Sequence, residues 1–417
     1  MNLAEELKQQ ALRLAREHAA REDALTALRR QGLQTLEETD FPGRKSEAWK
    51  YTSLRPLQEG GHLDQPAGKA GEIELPDFGG YRLVFLNGRF SEAHSSLPDE
   101  NGLEIIRLNG EREAQLLSPE EPLSPFAWLN TAALEDGLLI RVADNTEVEA
   151  PLHICLVSDG DTPSTCHTRL RLELGVHARL ELIEHYTGRG PVLTNAVTEL
   201  HAARGSDLCH YRIQSEETDT LHIGSLLLDG AGDSRMRSFQ LMQGNRLRRN
   251  EVRAVLREPG AELDMGGVFI GNGQTHTDNQ VSVEHRVPHC LSRQQYKGIA
   301  GDKARIVFNG RIHIHPFARE SKADLTNKNL LLSRAAEINT KPELEIYNDD
   351  VQCSHGTTVG QLDADALFYL RSRGMEEAEA RRMLGMGFIN ELLMALPRET
   401  ISEWARPWLG ASLTELP

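Results

Sequence analysis

No two of the five cysteines, at 155, 166, 209, 290 and 353, form a Cys-x-x-Cys pair. An odd number at such spacing argues against a disulfide framework and against a closed tetrahedral zinc site, and points to a reducing compartment. Basic residues are also short: 46 Lys and Arg against 62 Asp and Glu give a formal net charge of −16. A chain this acidic repels nucleic acid and anionic lipid. Its densest basic cluster, Arg246-Leu247-Arg248-Arg249, reads as a solvated strand edge. No Gly-Lys-Ser/Thr phosphate loop occurs, so no nucleotide is expected on this chain, and there is neither a Gly-x-Ser-x-Gly elbow nor a His-Glu-x-x-His pair. No apolar run approaches membrane-spanning length, and Met1 to Ala20 lacks the apolar stretch of a secretory signal. The expectation is a soluble, cytoplasmic protein that does not itself hydrolyse ATP.

What is present falls into three parts: a helical and mixed region over 1–135, a β core over 136–361 and a helical region over 362–417. Leu3, Leu7, Ala11 and Leu14 recur at helical spacing, as do Ala24, Leu25 and Leu28, up to a stop at Pro42-Gly43. Residues 58–80 read as a linker, Tyr81 to Phe85 with Asn87-Gly88 as a strand and tight turn, and Ser124-Pro125 as a helix cap within the mixed stretch 101–135. From about residue 137 the period becomes two, as in Leu170, Leu172, Leu174, Val176, Ala178, Leu180 and Leu182. Segments opening at Gly175, Gly205, Gly232, Gly260 and Gly301 recur about every 28 residues, with a longer last interval. That repeat favours a β-solenoid, capped by helices at both ends, over a β-sandwich. After residue 361 three helices are expected: Asp363 to Arg373, Glu376 to Ala395, and Glu399 to Leu409, the last stopped by Gly410. The second is apolar over most of its circumference, Met386 and Phe388 included, which suits both packing and a partner.

Candidate chemistry is sparse. Cys353 and His355 stand two apart in a strand-like run, hence on one face, as a soft-metal pair or as a buried thiol beside a satisfied histidine. His313 and His315 have the same spacing and the same two readings, metal ligands or a polar surface. Asp264, Asp278 and Glu284 are the carboxylates that a carbohydrate-active solenoid enzyme would use.

Longer motifs carry a resemblance. Tyr347-Asn348-Asp349-Asp350-Val351-Gln352-Cys353-Ser354-His355-Gly356, with Leu367-Phe368-Tyr369-Leu370-Arg371-Ser372-Arg373-Gly374, resembles the SufB/SufD family of iron–sulfur cluster assembly proteins. His315-Pro316-Phe317-Ala318 and Asn327-Lys328-Asn329-Leu330-Leu331-Leu332-Ser333 add to the likeness. Phe41-Pro42-Gly43-Arg44-Lys45-Ser46-Glu47-Ala48-Trp49-Lys50-Tyr51-Thr52 is similar to the N-terminal signature of its SufD branch. The resemblance implies a right-handed parallel β-helix between helical regions. It implies a scaffold that pairs with a SufB-like subunit through its last rungs and binds a SufC-like ATPase through the C-terminal helices. A transient iron–sulfur cluster would be shared with SufB, with His355 as the metal ligand from this side and Cys353 as a second candidate. The readings that compete with it are a homodimeric β-helix binding module and the carbohydrate-active enzyme.

Overall fold

The computed structural model describes residues 2–43, 46–64, 68, 74–108 and 124–414. Parts of the 58–80 linker and of the mixed stretch 101–135 fall outside these, as do Arg44 and Lys45 of the N-terminal motif. Two helices come first, α1 (Leu3–Ala19) and α2 (Thr26–Glu38), then a short α3 (Arg55–Gly60). Asn2 caps α1 by accepting from the Glu5 amide at 2.9 Å. Strands β1 (Tyr81–Leu86) and β2 (Arg89–Phe90) form the hairpin about Asn87-Gly88, and β3 (Leu103–Arg107) follows. Helix α4 (Pro125–Ala133) is capped by Ser124, as its Ser-Pro start requires.

The solenoid strands are β4 (Gly137–Val142), β5 (Leu152–Asp159), β6 (Ser164–Leu174), β7 (Arg179–Arg189), β8 (Val192–Ala202), β9 (Asp207–Gln214), β10 (Leu221–Gly230) and β11 (Arg235–Gln243). They continue as β12 (Leu247–Leu256), β13 (Glu262–Gly271), β14 (His276–His285), β15 (Leu291–Ala300), β16 (Arg305–Ile314), β17 (Ser321–Leu331), β18 (Glu337–Ile346) and β19 (Val351–Gln361). Each pairs in parallel with the strand two along. Odd strands make one sheet, from β5 to β19, and even strands the other, from β4 to β18, in about eight turns. β1 extends the odd sheet and β3 the even one. A sandwich would pair antiparallel neighbours, and the parallel ladders exclude it.

The repeat is set at one corner. His177, Gly205, Asp233, Gly260, His289 and Glu320 all have positive φ, between 54° and 80°, and occupy that corner in successive turns. Gly205 and Gly260 take this conformation without cost, and a Cβ on either would also collide with the corner residue of the turn before, His177 or Asp233. The long final interval in the sequence pattern has a simple origin. Gly301 and Asp302 lie at the opposite corner, with Gly273, so the true successor of Gly260 is His289, which carries no glycine mark.

Three apolar clusters hold the chain together. Inside the coil, like positions stack: Leu180, Leu208, Met236 and Leu263 lie in register in β7, β9, β11 and β13. Helices α1 and α4 cover the outer face of the even sheet over Leu193, Leu221, Ile223 and Leu247. The C-terminal helices α5 (Ala364–Ser372), α6 (Glu377–Met394) and α7 (Glu399–Thr414) follow β19. Of these, α6 and α7 cover the odd sheet through Ile389, Leu393, Leu409 and Leu413. Helix α7 runs past Gly410, contrary to the expected stop, because Leu413 must reach the α6–sheet contact, where it lies 3.1 Å from the Cβ position of Gly385. No described helix is long and apolar enough to cross a membrane.

The arginine cluster is not a solvated edge. Arg248 and Arg249 are fully buried. Arg248 pairs with Glu216 at 2.7 Å, while Arg249 pairs with Asp278 and lies 3.8 Å from the Trp49 ring centroid. Thr52 of the same N-terminal motif donates to Asp278 at 2.5 Å, so the motif straps across the even sheet. A second buried group sits inside the coil. Burial alone would raise the pKa of Glu184, but Arg212 at 3.0 Å, with His210 and Thr198 hydrogen-bonded to it, holds it down at about 2.

Because that carboxylate is held below its ordinary 4.5, its contribution to stability is complete above pH 4.5 and is lost as pH falls toward about 2. Glu184→Gln strands Arg212 in the core and should cost roughly 3–5 kcal/mol at neutral pH. Urea titrations at neutral and acid pH check this: the deficit of the variant should shrink as pH drops through that window, and a pH-independent deficit would contradict the assignment.

Candidate functional site

The motif 347–360 closes and forms the last turn of the coil. Asn348 folds the corner: its side-chain carbonyl accepts from the Asp350 amide at 2.9 Å, and its amide donates to the Pro316 carbonyl at 2.7 Å. The Glu320 amide bonds the Asp350 carbonyl at 2.6 Å, which stacks this corner on the one before. Strand β19 then lies along β17, with Ala323 beside Cys353 and Leu325 beside His355.

Both side chains follow rows that face the coil interior. The row of Cys353 descends through Ala323, Ser292 and Leu263, and that of His355 through Leu325, Gln294 and Met265. Below them these rows are buried; at β19 no further turn covers them. Cys353 is therefore half-buried and His355 exposed. They stand about 7 Å apart along the strand. Burial pushes the Cys353 thiol above its ordinary pKa, an effect only partly offset by a backbone hydrogen bond at Ala323. The other four cysteines are free and buried.

β18 and β19 are the outermost strands of the two sheets at this end, so each presents unpaired backbone groups. The two edges differ. β18 carries Glu337, Lys341, Glu343 and Glu345 and contains Pro342, the features that deter strand pairing. All 11 residues of β19, VQCSHGTTVGQ, lack Asp, Glu, Lys, Arg and Pro. Around this end Phe317 is 80% exposed, Tyr347 60%, Ile346 43% and Val359 42%, an apolar rim on an otherwise charged surface. Among the described residues no three His, Cys, Asp or Glu side chains converge as a metal would require. Cys353 and His355 thus offer at most part of a coordination shell.

The other candidates separate. His313 and His315 lie outside the coil, ring centroids 4.2 Å apart. His313 is 2.8 Å from Glu345, but the Arg311 guanidinium is 2.8 Å from the same ring nitrogen and also binds Glu345, so a cation is already seated there. Burial, then the neighbouring His313, lowers the pKa of His315. Asp264 is on the odd sheet, Asp278 and Glu284 on the even one. Asp278 is paired with Arg249, and Glu284 with Arg253 at 2.8 Å, so the three form no catalytic pair.

On α6, Met386 and Phe388 are partly buried against the cluster formed by α6, α7 and the odd sheet. Lys297 donates to the Phe388 carbonyl and to Glu391, both at 2.8 Å, and Phe388 packs over the Lys297 ammonium. The apolar residues left outward are Phe368 (73%) and Tyr369 (57%) on α5, with Met383 (46%) and Met394 (67%) on α6. Sequence periodicity missed this division because α6 is apolar on nearly all sides; only the position of the sheet decides which side is covered.

Brief alkylation of the native protein with a maleimide, read by peptide mass spectrometry, should modify Cys353 and spare Cys155, Cys166, Cys209 and Cys290. Labelling of all five at similar rates would mean that the last turn is not the open end described.

Comparison with known proteins agrees with this geometry. The family profile described as SUF system FeS cluster assembly, SufBD core domain, matches residues 156–388, the span from β5 to the middle of α6. The iron-sulfur cluster assembly protein SufD of Escherichia coli is 32% identical over 395 residues, covering 92% of either chain. A SufBD family protein of Synechocystis, slr0076, is 29% identical over 90% of this chain and 88% of its own. The iron-sulfur cluster assembly protein SufB of Bacillus subtilis is 25% identical over 76% of this chain and 67% of its own.

Proposed function

The chain belongs to the SufBD family of iron–sulfur cluster assembly proteins, and from that premise we propose that it is the non-catalytic scaffold partner of a SufB-like subunit and a SufC-like ATPase. The observation that carries the reading is the uncharged, uncovered edge of β19, with Cys353 and His355 on the inner side of the same strand. An exposed edge without charge or proline is a template for strand addition, and a second solenoid with a matching end would continue the odd sheet through β19. Pairing would bury the apolar rim and place the partner's residues next to His355.

The nascent cluster is cargo here. A neutral imidazole suits ferrous iron, and the raised thiol pKa makes Cys353 the weaker donor until iron or a neighbouring cation displaces its proton. Ligands missing from this chain would come from the SufB side. A site divided between two proteins can open when they move apart, which suits transient holding. The exposed Phe368, Tyr369, Met383 and Met394 supply an apolar surface of the kind that an ATPase subunit would cover, and ATP hydrolysis would belong to that subunit. Five free cysteines fit a reducing cytoplasm. In isolation the same β19 edge favours a homodimer, since an edge can pair with its own copy.

Co-expression of the tagged chain with the SufB and SufC proteins of its source, followed by anaerobic purification, tests the reading. A complex with iron–sulfur absorption is expected; recovery of the chain alone, colourless, would contradict it. In that system His355→Ala should leave the complex intact and lower cluster content several-fold by visible absorption and iron assay. Normal cluster content would remove His355 from the ligand set. Phe368→Glu with Met383→Glu should weaken ATPase binding by about tenfold or more, since buried apolar anchors dominate such contacts. Unchanged affinity by calorimetry would remove α5 and α6 from the docking surface.

A further inference from the structure

The interior of the coil is not uniformly apolar. One row of inward-facing positions on the odd sheet reads Glu184, Arg212, Gln240, Gly267, Tyr296, Asn327 and Thr357, in unbroken register from β7 to β19. Every member with a side chain is polar, and all but Thr357 on the edge strand are buried. The adjacent row adds His210, Ser238 and Gln294 before it reaches His355. Across the lumen Gln214, Asn250 and Asn279 are linked by amide hydrogen bonds of 2.9–3.1 Å. At the open end Thr340 donates to Asn327 at 2.8 Å, and Asn327 accepts from Asn329 at 2.6 Å.

Much of this polar file has no protein partner. Both amide atoms of Gln240 and of Gln294, the Tyr296 hydroxyl, Asn279 Nδ2 and Arg212 Nη1 are buried without a hydrogen bond to any protein group. These atoms are donors and acceptors in turn, spread over neighbouring turns. Isolated buried polar atoms are rare in folded proteins, and internal waters are their usual partners. An ion of one sign does not suit the set, because Glu184 already matches Arg212 and the amides are neutral. Apolar closure does not suit it either, since β9, β11, β15 and β17 each supply at least one polar group to the two rows, and only β13, with Met265 and Gly267, supplies none.

We infer that the solenoid lumen holds a file of internal water molecules running along the Gln240–Tyr296–Asn327–Thr357 row and opening at β19 beside His355. Its ligand is water, and its mouth is the last turn. On the functional reading above, which this last point rests on, the mouth keeps water on the inner side of the edge site. The filled lumen itself does not depend on that reading.

Oxygen-17 water relaxation dispersion on the isolated full-length chain counts long-lived internal waters, and needs neither partner nor cluster. Tyr296→Phe deletes one orphan oxygen and Gln294→Leu two polar atoms, with circular dichroism confirming the fold. Tyr296→Phe is the safer variant, because its ring stays packed against Phe308 at a centroid distance of 4.9 Å. A smaller dispersion amplitude than wild type in a folded variant is the expected result, accompanied by a lower melting temperature. An unchanged amplitude in folded Tyr296→Phe overturns the proposal, and a rise in melting temperature would then be expected, since deleting a dry orphan hydroxyl relieves the coil. Neither result touches partner binding, so failure here is separable from failure of the scaffold reading.

Discussion

Parallel stacking in register is the constraint from which the rest follows. Each turn of the coil leaves a row of unpaired amides and carbonyls about 4.8 Å above the last, and only another turn in the same register can satisfy them. Register places like positions over like positions, so the chain has a single choice to make per row. It fills some rows with leucine, one with hydrogen-bonding groups, and the corner row with residues that accept positive φ. At the last turn the rule runs out, and the row that would be covered is offered to solvent.

The outer rows follow the same logic with charge. Glu147, Arg179 and Asp207 stand next to one another in successive turns, with Arg179 2.9 Å from Glu147 and 3.7 Å from Asp207. Arg235 follows Asp207 in register and pairs with Glu262 at 3.2 Å. Each exposed pair adds little on its own. Alternation matters because register would otherwise set like charges side by side, which destabilises a ladder. A chain with net charge −16 still achieves alternation along these rows. In this row the alternation is interrupted by Leu291 on β15 and ends at β19, whose outward residues include the uncharged Gln352, Ser354, Gly356 and Thr358. The last edge of the odd sheet thus carries no charge of its own.

The architecture was legible because period-two leucines and the recurring glycine corners are direct consequences of register. The helical ends were legible from caps and spacing. Other features depended on tertiary position and left no local mark. His289 and Glu320 replace glycine at the corner, so the repeat seemed to stretch at Gly301. Arg248 and Arg249 look like surface charge until the strap around Trp49 covers them. Glu184, His210 and Arg212 resemble outward residues, yet alternation places them inside. Cys353 and His355 stood out through their spacing, and the structure adds that they lie at the uncovered last turn. It does not bring a third ligand to them among the described residues.

The most direct test is amide hydrogen exchange across Val351–Gln361, measured on the chain diluted until it is monomeric and after mixing with the SufB protein of its source. Half of these amides bond β17 and half point to the open side. The open-side amides should exchange fast in the free monomer and become strongly protected in the mixture, with little change on α1 and α2. Binding with protection confined to other surfaces, and β19 still exchanging freely, would contradict it.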